Sequence, residues 1–501
     1  MKQQTIILGP PGCGKTTHLL NLVDQEMSKG VHPARIGYFS FTKKATVEAM
    51  DRACAKFKMT RAELPFFRTF HSLAFQQLGL TKEQVMGPAA YRSIGQSLGL
   101  EFSDYMNFEE GVPTGSKTGD QCLWMVGMSR ARMVDLREQW QEANSELDWF
   151  QLKQFNDTLV QYKETTGLLD FSDMLDRCME VCPPLDLEVA VIDEAQDLSK
   201  QQWALALYMT MNAKRVYTAG DDDQAIYRWS GACVDSFLEL EGERVVLNHS
   251  YRLPRTVYNL CWRIAERISR RIPKQWGPRD ENGRVDYLTS LDNIKWRDGS
   301  YLILARNQYL LGPIEEFVKR AGIPYTTQRR SSVNTDHIKA IVLWERLRKG
   351  DSITGEEARS IYKYLRSGEG VSRGFKLLKA VPDDAQVNLA YLQENGGLLT
   401  TAIWHDALTA ILPEDREFYL MAKRRGEKLT RKPRVHISTI HGVKGGEADH
   451  VVLLSDMAYR TYQDYQGNPD DEHRVAFVGA SRARQTLSIL MPQTNRAYDY
   501  R

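Results

Sequence analysis

The 501-residue sequence contains no apolar run long enough to cross a bilayer, and its N-terminus has no signal-peptide pattern. These absences exclude a transmembrane protein, so we expect a cytoplasmic protein without a membrane partner. The seven cysteines are scattered and form no C-x-x-C pair, which argues against a disulfide framework or a zinc site. The formal net charge is only +2, so the charge of the whole chain does not indicate a nucleic-acid partner.

The composition and length are those of a soluble protein with more than one compact unit. Hydrophobic residues make up 42% of the chain and charged residues 26%. A chain of 501 residues exceeds the usual size of a single hydrophobic core. Basic residues cluster in the segments 423–434 and 263–279. Each cluster fits either phosphate contacts or an ordinary solvated surface.

Short apolar strand-like segments alternate with helical patterns along much of the chain. The predicted strands are Thr5–Leu8, Ile36–Phe41, Glu188–Ile192, Arg215–Ala219, Tyr301–Ala305, Val435–Thr439, His450–Leu454 and Thr486–Leu490. This alternation predicts parallel sheets covered by helices. Two intervals, roughly 75–169 and 347–432, have mostly helical patterns instead, and we interpret them as insertions into two α/β domains.

A glycine-rich segment follows the first predicted strand and leads into a helical pattern. It reads G-P-P-G-C-G-K-T and fits the phosphate-binding pattern G-x-x-x-x-G-K-[ST]. In such a loop the backbone N–H groups and the helix N-terminus bind phosphates, the lysine reaches the β- and γ-phosphates, and the hydroxyl binds Mg²⁺. The residues expected to contact the nucleotide are Gly9, Pro10, Gly12, Cys13, Gly14, Lys15, Thr16 and Thr17.

Two acidic residues follow a buried-type strand, which is costly unless they serve a metal or a water molecule. Asp193 and Glu194 come directly after the apolar segment Val189–Ile192. Together with the glycine-rich loop, this arrangement predicts that Asp193 and Thr16 bind Mg²⁺. Glu194 is then the natural general base for the attacking water.

The segment Asp193–Asp197 reads D-E-A-Q-D and resembles the D-E-x-Q-D signature of the UvrD/Rep/PcrA family of superfamily 1 helicases. Further segments resemble other motifs of this family, and they occur in the family order along the chain. They are Phe39–Ala45, Thr69–Ala74, Asp170–Leu175, Gly220–Ala232, Asn248–Arg252, Thr439–Glu447 and Ala476–Ala483.

The resemblance implies an α/β fold of two RecA-like P-loop NTPase domains with parallel sheets, each carrying a mainly helical insertion. The implied division has four parts: domain 1A (1–75 and 166–250), insertion 1B (76–165), domain 2A (251–346 and 433–501) and a shortened insertion 2B (347–432). On this division, Arg252 and Arg482 come from the second domain and approach the phosphates as arginine fingers. A lone arginine is more often part of a surface salt bridge.

The resemblance also assigns roles to individual residues. Gln224 would couple the γ-phosphate to the nucleic-acid site, Tyr251 would stack on adenine, and Glu447 would bind the ribose. The residues implied to contact the nucleic acid are Phe41, Thr42, His71, Tyr227, Trp229 and His441. Aromatic side chains bind bases by sequence-tolerant stacking. Core packing is the alternative for Phe41 and Tyr227, whereas the polar and glycine neighbours of Trp229 favour exposure.

The implied function is an ATP- and Mg²⁺-dependent DNA helicase that moves along single-stranded DNA in the 3′ to 5′ direction. The alternative is a single-strand translocase that displaces proteins with little unwinding, because the second insertion is short for the family. The implied partners are single-stranded DNA and duplex junctions, with single-strand-binding, replication or recombination proteins as further partners. No glutamine is assigned to the family's upstream adenine-reading motif.

Overall fold

The computed structural model describes residues 3–103, 107–109, 112–114, 117–143 and 145–501. The strands within these residues are β1 (Gln3–Leu8), β2 (Ile36–Ser40), β3 (Phe67–Arg68), β4 (Asn107–Glu109), β5 (Val112–Thr114), β6 (Val189–Asp193), β7 (Arg215–Gly220), β8 (Glu243–Val246), β9 (Arg284–Leu288), β10 (Tyr301–Ala305), β11 (Tyr325–Thr326), β12 (Ile353–Thr354), β13 (Gln386–Val387), β14 (Val435–Thr439), β15 (Ala448–Leu454) and β16 (Ala483–Leu490). Each of the eight predicted strands is confirmed, with end points that differ by no more than three residues.

The helices within the same residues include the long segments that the sequence pattern predicts between strands. They are α1 (Lys15–Ser28), α2 (Lys43–Phe57), α3 (Phe70–Gln77), α4 (Pro88–Leu98), α5 (Thr118–Arg132), α6 (Leu136–Glu142), α7 (Trp149–Thr166), α8 (Phe171–Val181), α9 (Lys200–Met209), α10 (Val234–Leu238), α11 (Arg255–Ala265), α12 (Leu311–Arg320), α13 (Thr335–Arg348), α14 (Gly355–Tyr362), α15 (Leu389–Asn395), α16 (Trp404–Ala407), α17 (Pro413–Arg424), α18 (Tyr459–Gly467) and α19 (Pro469–Ala480). Over the described part of the chain, none of these helices has the length and apolar content needed to cross a membrane.

The chain divides into two compact units. Residues up to 284 together with 463–484 and 500–501 form the first unit, and 285–462 with 485–499 form the second. The first unit contains a six-stranded sheet in the order β3-β2-β6-β7-β1-β8, in which the neighbouring strands are parallel. Its interior strands β2 and β6 are buried along their whole length, as expected for a sheet covered on both faces.

Alternation of side chains along β1 divides the core of the first unit into two layers. Ile6 and Leu8 belong to one buried cluster, whereas Ile7 belongs to the cluster on the opposite face. The second of these clusters includes Leu19 and Val23 of α1, which packs the helix against the sheet. The strand β1 and the helix α1 are therefore held rigidly at the two ends of the glycine-rich loop.

The second unit contains another six-stranded sheet, in the order β11-β14-β10-β15-β16-β9. The pairs β11-β14, β14-β10 and β10-β15 are parallel. Buried apolar side chains of β10, β14 and β15, among them Ile303, Ile437 and Val452, form the core of this sheet. The expected α/β fold with two RecA-like sheets is confirmed.

Both predicted insertions are mainly helical and have cores of their own. Helices α4, α5 and α7 enclose a buried cluster that includes Ile94 and Phe155, and the short antiparallel pair β4-β5 lies in the same interval. In the second unit, a cluster around the buried side chain of Trp344 joins α13, α14 and α17. The bounds of the four-part domain division remain a prediction.

Candidate nucleotide and nucleic-acid site

The glycine-rich loop curls around the side chain of Lys15. Gly12 and Gly14 adopt left-handed backbone angles, with φ of 72° and 75°, which glycine adopts at little cost. A Cβ atom at Gly9 would lie 2.7 Å from Cδ of Lys15, so only glycine leaves room for the lysine there. The sequence pattern thus produces the loop that it predicts.

Lys15 points at both acidic residues that end β6. Its Nζ lies 2.6 Å from Oε1 of Glu194 and 3.2 Å from Oδ1 of Asp193. Burial alone would lower the pKa of Lys15, but the two carboxylates outweigh it and raise the pKa above its ordinary value. The hydroxyl of Tyr38 donates a hydrogen bond to Oδ2 of Asp193 over 2.8 Å. Lys15 therefore carries a positive charge in this pocket.

Glu194 adopts a backbone conformation that is unusual for a residue other than glycine. Its φ is 53°, in the left-handed region, which turns the chain sharply after β6. Its Oε2 accepts a hydrogen bond of 2.6 Å from Nε2 of Gln196. The Oε1 atom of the fully buried Gln196 in turn accepts from the backbone N–H of Asp221 over 3.0 Å. Gln196 thus connects the end of β6 to the end of β7.

Gln224 lies between an acid and an arginine. Its Nε2 donates to Oδ2 of Asp221 over 2.7 Å, and its Oε1 accepts from Nη2 of Arg482 over 2.8 Å. The Arg482 side chain is almost fully buried, and its Nε donates to the carbonyl of Val478 over 2.9 Å. Hydrogen bonds consequently run without interruption from Glu194 through Gln196, Asp221 and Gln224 to Arg482.

The segment after β8 docks directly on the glycine-rich loop. Oγ of Ser250 donates to the carbonyl of Pro11 over 2.6 Å, and the backbone N–H of Tyr251 donates to the carbonyl of Gly12 over 2.8 Å. A Cβ atom at Gly12 would lie only 2.3 Å from Cβ of Arg252. Tyr251 is 70% exposed, so its ring is accessible to a ligand at the loop.

Both predicted arginines belong to the compact unit that contains the loop. Nη1 of Arg252 donates to the carbonyl of Ser481 over 3.4 Å, and Ser481 directly precedes Arg482. The two arginines are therefore neighbours within this unit. Their contact with phosphate remains a prediction.

The predicted strand-binding aromatics of the first unit form a row. The ring centroids of Phe41 and Tyr227 lie 5.5 Å apart, and those of Tyr227 and Trp229 lie 6.3 Å apart. Phe41 is only 5% exposed and belongs to the sheet core, whereas Trp229 is 36% exposed. Trp229 is therefore the accessible end of the row. Thr42 caps α2, because its side chain accepts a hydrogen bond from the N–H of Ala45.

His71 lines a cavity of about 880 Å³ at the start of α3. The same cavity is lined by the basic residues Lys43 and Arg68. Burial lowers the pKa of His71 to about 4, so its ring is neutral at physiological pH. The edge of the ring meets Phe171 at a centroid distance of 5.6 Å.

His441 and Glu447 lie in the second unit, between β14 and β15. His441 begins a short helical turn, His441–Val443, and both side chains are partly exposed. Their predicted contacts, with nucleic acid and with ribose respectively, remain predictions.

The loop offers the donors that a nucleotide and its metal require. The hydroxyl of Thr16 and the carboxylate of Asp193 are hard oxygen donors of the kind that Mg²⁺ prefers. No side chain of the described residues caps the N-terminus of α1, where N–H groups suit a phosphate. Thr17 follows in the first turn of the same helix and is exposed. These residues fit Mg²⁺ and a nucleoside triphosphate.

Sequence reasoning missed several residues that organise the site. Four hydrogen bonds do this: Tyr38 donates to Asp193, Gln196 donates to Glu194, Asp221 accepts from Gln224, and Ser250 donates to the glycine-rich loop. Gln196, Asp221 and Ser250 fall inside recognised motif segments, so their position was a usable signal. Nothing in the residues around Tyr38 indicates its contact with Asp193.

The glycine-rich loop between β1 and α1, together with acidic residues at the end of β6, a parallel strand of the same sheet, defines a P-loop protein of the RecA-like class. Comparison with known families agrees. The UvrD/REP helicase N-terminal domain matches residues 1–244, and the UvrD-like helicase C-terminal domain matches residues 405–494. The chain belongs to the UvrD/Rep helicase family.

The individual relatives share less than a quarter of their aligned residues with this chain. The chain is 24% identical over 323 residues to the ATP-dependent DNA helicase PcrA of Leuconostoc citreum, covering 61% of this chain and 42% of that protein. It is 24% identical over 364 residues to PcrA of Staphylococcus aureus, covering 64% and 48%. It is 22% identical to DNA helicase II of Haemophilus influenzae in an alignment of 609 positions, which covers 98% of this chain and 82% of that protein. The chain thus spans about half the length of the PcrA proteins that it matches.

Proposed function

We propose that this protein is an ATP-dependent DNA helicase that moves 3′ to 5′ along single-stranded DNA by hydrolysing ATP. The observation that carries the proposal is the continuous set of hydrogen bonds from Glu194 to Arg482 through Gln224. It joins the residues suited to hydrolysis with the loop that leads to Trp229. A change at the phosphates therefore has a direct mechanical route to the strand-binding surface.

The roles of the residues follow from their positions. Lys15 exchanges its two carboxylate partners for the β- and γ-phosphates when the nucleotide binds. Its departure releases Glu194 to accept a proton from the attacking water. Thr16 and Asp193 would hold Mg²⁺, which would supply positive charge to offset that of the phosphate oxygens. Arg252 and Arg482 stabilise the charge that develops on the transferred phosphoryl group. Tyr251 and Glu447 contact the adenine and the ribose.

Single-stranded DNA contacts the aromatic row of the first unit together with Thr42 and His71, and it also contacts His441 of the second unit. Trp229 is the residue best exposed for stacking on a base, and stacking tolerates any sequence, as movement along a strand requires. The four-part division into domains 1A, 1B, 2A and 2B accompanies this proposal. Duplex junctions and proteins of replication, repair or recombination are the proposed partners.

A single-strand translocase with little unwinding activity is the second candidate. It is favoured by the short second insertion, residues 347–432. A strand-displacement assay with a 3′-tailed, a 5′-tailed and a blunt duplex distinguishes the two. Displacement of the 3′-tailed duplex alone supports the helicase, and ATP hydrolysis without displacement supports the translocase. Displacement of the 5′-tailed duplex would contradict the proposed direction.

A further inference from the structure

A fully buried lysine of the first unit, Lys274, lies in the segment after α11. Its side chain is 0% exposed, and its Nζ contacts three consecutive aspartates. The distances are 2.9 Å to Oδ1 of Asp221, 2.5 Å to Oδ1 of Asp222 and 3.0 Å to Oδ2 of Asp223. Three carboxylates buried together require a cation, because unpaired buried charge is strongly unfavourable.

Other contacts fix the same turn. Arg271 forms two hydrogen bonds to Asp223, over 2.8 Å and 2.7 Å. The backbone N–H of Ile272 donates to Oδ2 of Asp222 over 2.8 Å, and Nε of Arg474 donates to the carbonyl of Asp222 over 2.9 Å. Within the basic segment 263–279, Arg271 and Lys274 therefore form ion pairs with carboxylates of the protein and do not face solvent.

Asp221 distinguishes Lys274 from Arg271. One oxygen of this carboxylate binds Lys274, and the other accepts the hydrogen bond from Gln224. Gln224 in turn accepts from Arg482. Among the described residues, Arg271 forms its ion pair with Asp223, at the far end of the turn. A change at Lys274 therefore reaches Gln224 and Arg482 through one carboxylate, whereas a change at Arg271 does not.

We propose that Lys274 is a positioning residue for ATP hydrolysis: it anchors Asp221 so that Gln224 and Arg482 keep their places beside the nucleotide. This inference rests on the proposed function of the same site. Lys274 itself touches neither nucleotide nor strand. Its effect is on the rate of hydrolysis in the assembled site rather than on nucleotide affinity.

The test compares Lys274→Met, the charge-balanced double variant Asp222→Asn/Lys274→Met, and the control Arg271→Gln. All three variants weaken the aspartate cluster, but only the first two remove the lysine that contacts Asp221. We expect both Lys274 variants to lower the kcat of strand-stimulated ATP hydrolysis by roughly tenfold to a hundredfold, with KM for ATP changed by less than about threefold. Arg271→Gln should retain kcat within about twofold even where it lowers the melting temperature.

A second measurement tests the route. If Lys274 acts through Gln224, then Lys274→Met should add little further loss of kcat in a Gln224→Ala background. Additive losses would overturn the proposal, as would an unchanged kcat in both Lys274 variants. If neither Lys274 variant folds while Arg271→Gln does, Lys274 is a structural residue and the proposal is wrong. Wild-type protein without strand-stimulated hydrolysis would instead reject the proposed function itself.

Discussion

Arg482 donates a hydrogen bond of 2.8 Å to the side chain of Gln224, although the two residues are 258 positions apart in the sequence. Arg482 follows the helix α19, and Gln224 lies in the turn after β7. The contact joins the last motif of the family to the residue expected to sense the γ-phosphate. The two side chains should therefore act as one unit in hydrolysis.

Replacing either member of this pair should impair hydrolysis more than nucleotide binding. We expect Arg482→Ala to lower kcat by about a hundredfold or more, because a group that stabilises charge in the transition state is lost. Gln224→Ala should have a comparable effect, and the double variant should lose much less than the product of the two. Steady-state ATPase kinetics of the three variants measure this coupling.

The exposed Arg484 provides a matched control, two residues further along the chain. Arg484→Ala should retain kcat within about twofold, as is usual for surface substitutions. Independent, multiplicative losses in the Arg482 and Gln224 variants would contradict a shared role.

A methyl group at Gly12 should disturb the position of Arg252. Gly12→Ala places a Cβ atom 2.3 Å from Cβ of Arg252, at a residue whose φ is 72°. The control is Gly30→Ala, because Gly30 has a φ of 94° but open space around it. Both variants bear the left-handed strain of about 1–2 kcal/mol. Only Gly12→Ala should also abolish detectable ATP binding in a fluorescent-nucleotide titration.

If Gly12→Ala retained its nucleotide affinity, the contact between the glycine-rich loop and the segment after β8 would not be needed for nucleotide binding. Equal losses of stability in the two variants, measured by thermal unfolding, would lead to the same conclusion.

The parts of the fold that could be predicted from the sequence are those recognisable from a few consecutive residues. The buried strands Tyr301–Ala305 and Val435–Thr439 were predicted to the residue, because each is a short β-type run that fills a buried sheet position. The edge strands β8 and β9 were missed, since their residues are largely exposed or partly buried and show no apolar run. Likewise, the glycine-rich loop and the acids after β6 were recognisable locally.

Contacts between distant segments could not be predicted in the same way. Tyr38 meets Asp193 across 155 positions, and Lys274 meets Asp222 across 52. Both contacts depend on the order of strands in the sheet and on the path of the chain after α11. The sequence shows three consecutive aspartates but not that they are buried, and several basic residues of the segment 263–279 could have paired with them.

The stacking role of Trp229 is tested by its removal. Trp229→Ala should weaken binding of single-stranded DNA by about 1–3 kcal/mol and reduce strand-stimulated hydrolysis, while unstimulated hydrolysis stays near the wild-type rate. Fluorescence anisotropy with a labelled oligonucleotide measures the affinity. Tyr391 is a suitable control, because it is 39% exposed, close to the 36% of Trp229, but lies in the second insertion. Unchanged affinity in Trp229→Ala would show that the indole is only packed.

The partly buried histidine His71 should make stability depend on pH. The pKa of His71 falls from 6.5 to about 4 on folding. Between these two values the ring is protonated in the unfolded chain but neutral in the folded chain. The free energy of unfolding is therefore highest above pH 6.5, where the ring is neutral in both states, and it decreases as the pH falls towards 4. The loss is on the order of 2–3 kcal/mol.

His71→Asn should flatten this dependence, because asparagine does not titrate. Urea unfolding of the two proteins between pH 7 and pH 4.5 gives the difference directly. Parallel curves for the wild type and the variant would show that His71 is not held neutral by burial.

The most direct test of the central claim is the ATPase rate of the wild type with single-stranded DNA, with single-stranded RNA and without polynucleotide, alongside Lys15→Ala and Glu194→Gln. The exposed Lys29→Ala serves as the control. We expect single-stranded DNA to stimulate hydrolysis in the wild type and in Lys29→Ala, and both site variants to lose turnover while still binding the strand. A wild-type rate that is the same with and without polynucleotide, or wild-type turnover in Glu194→Gln, would contradict this account.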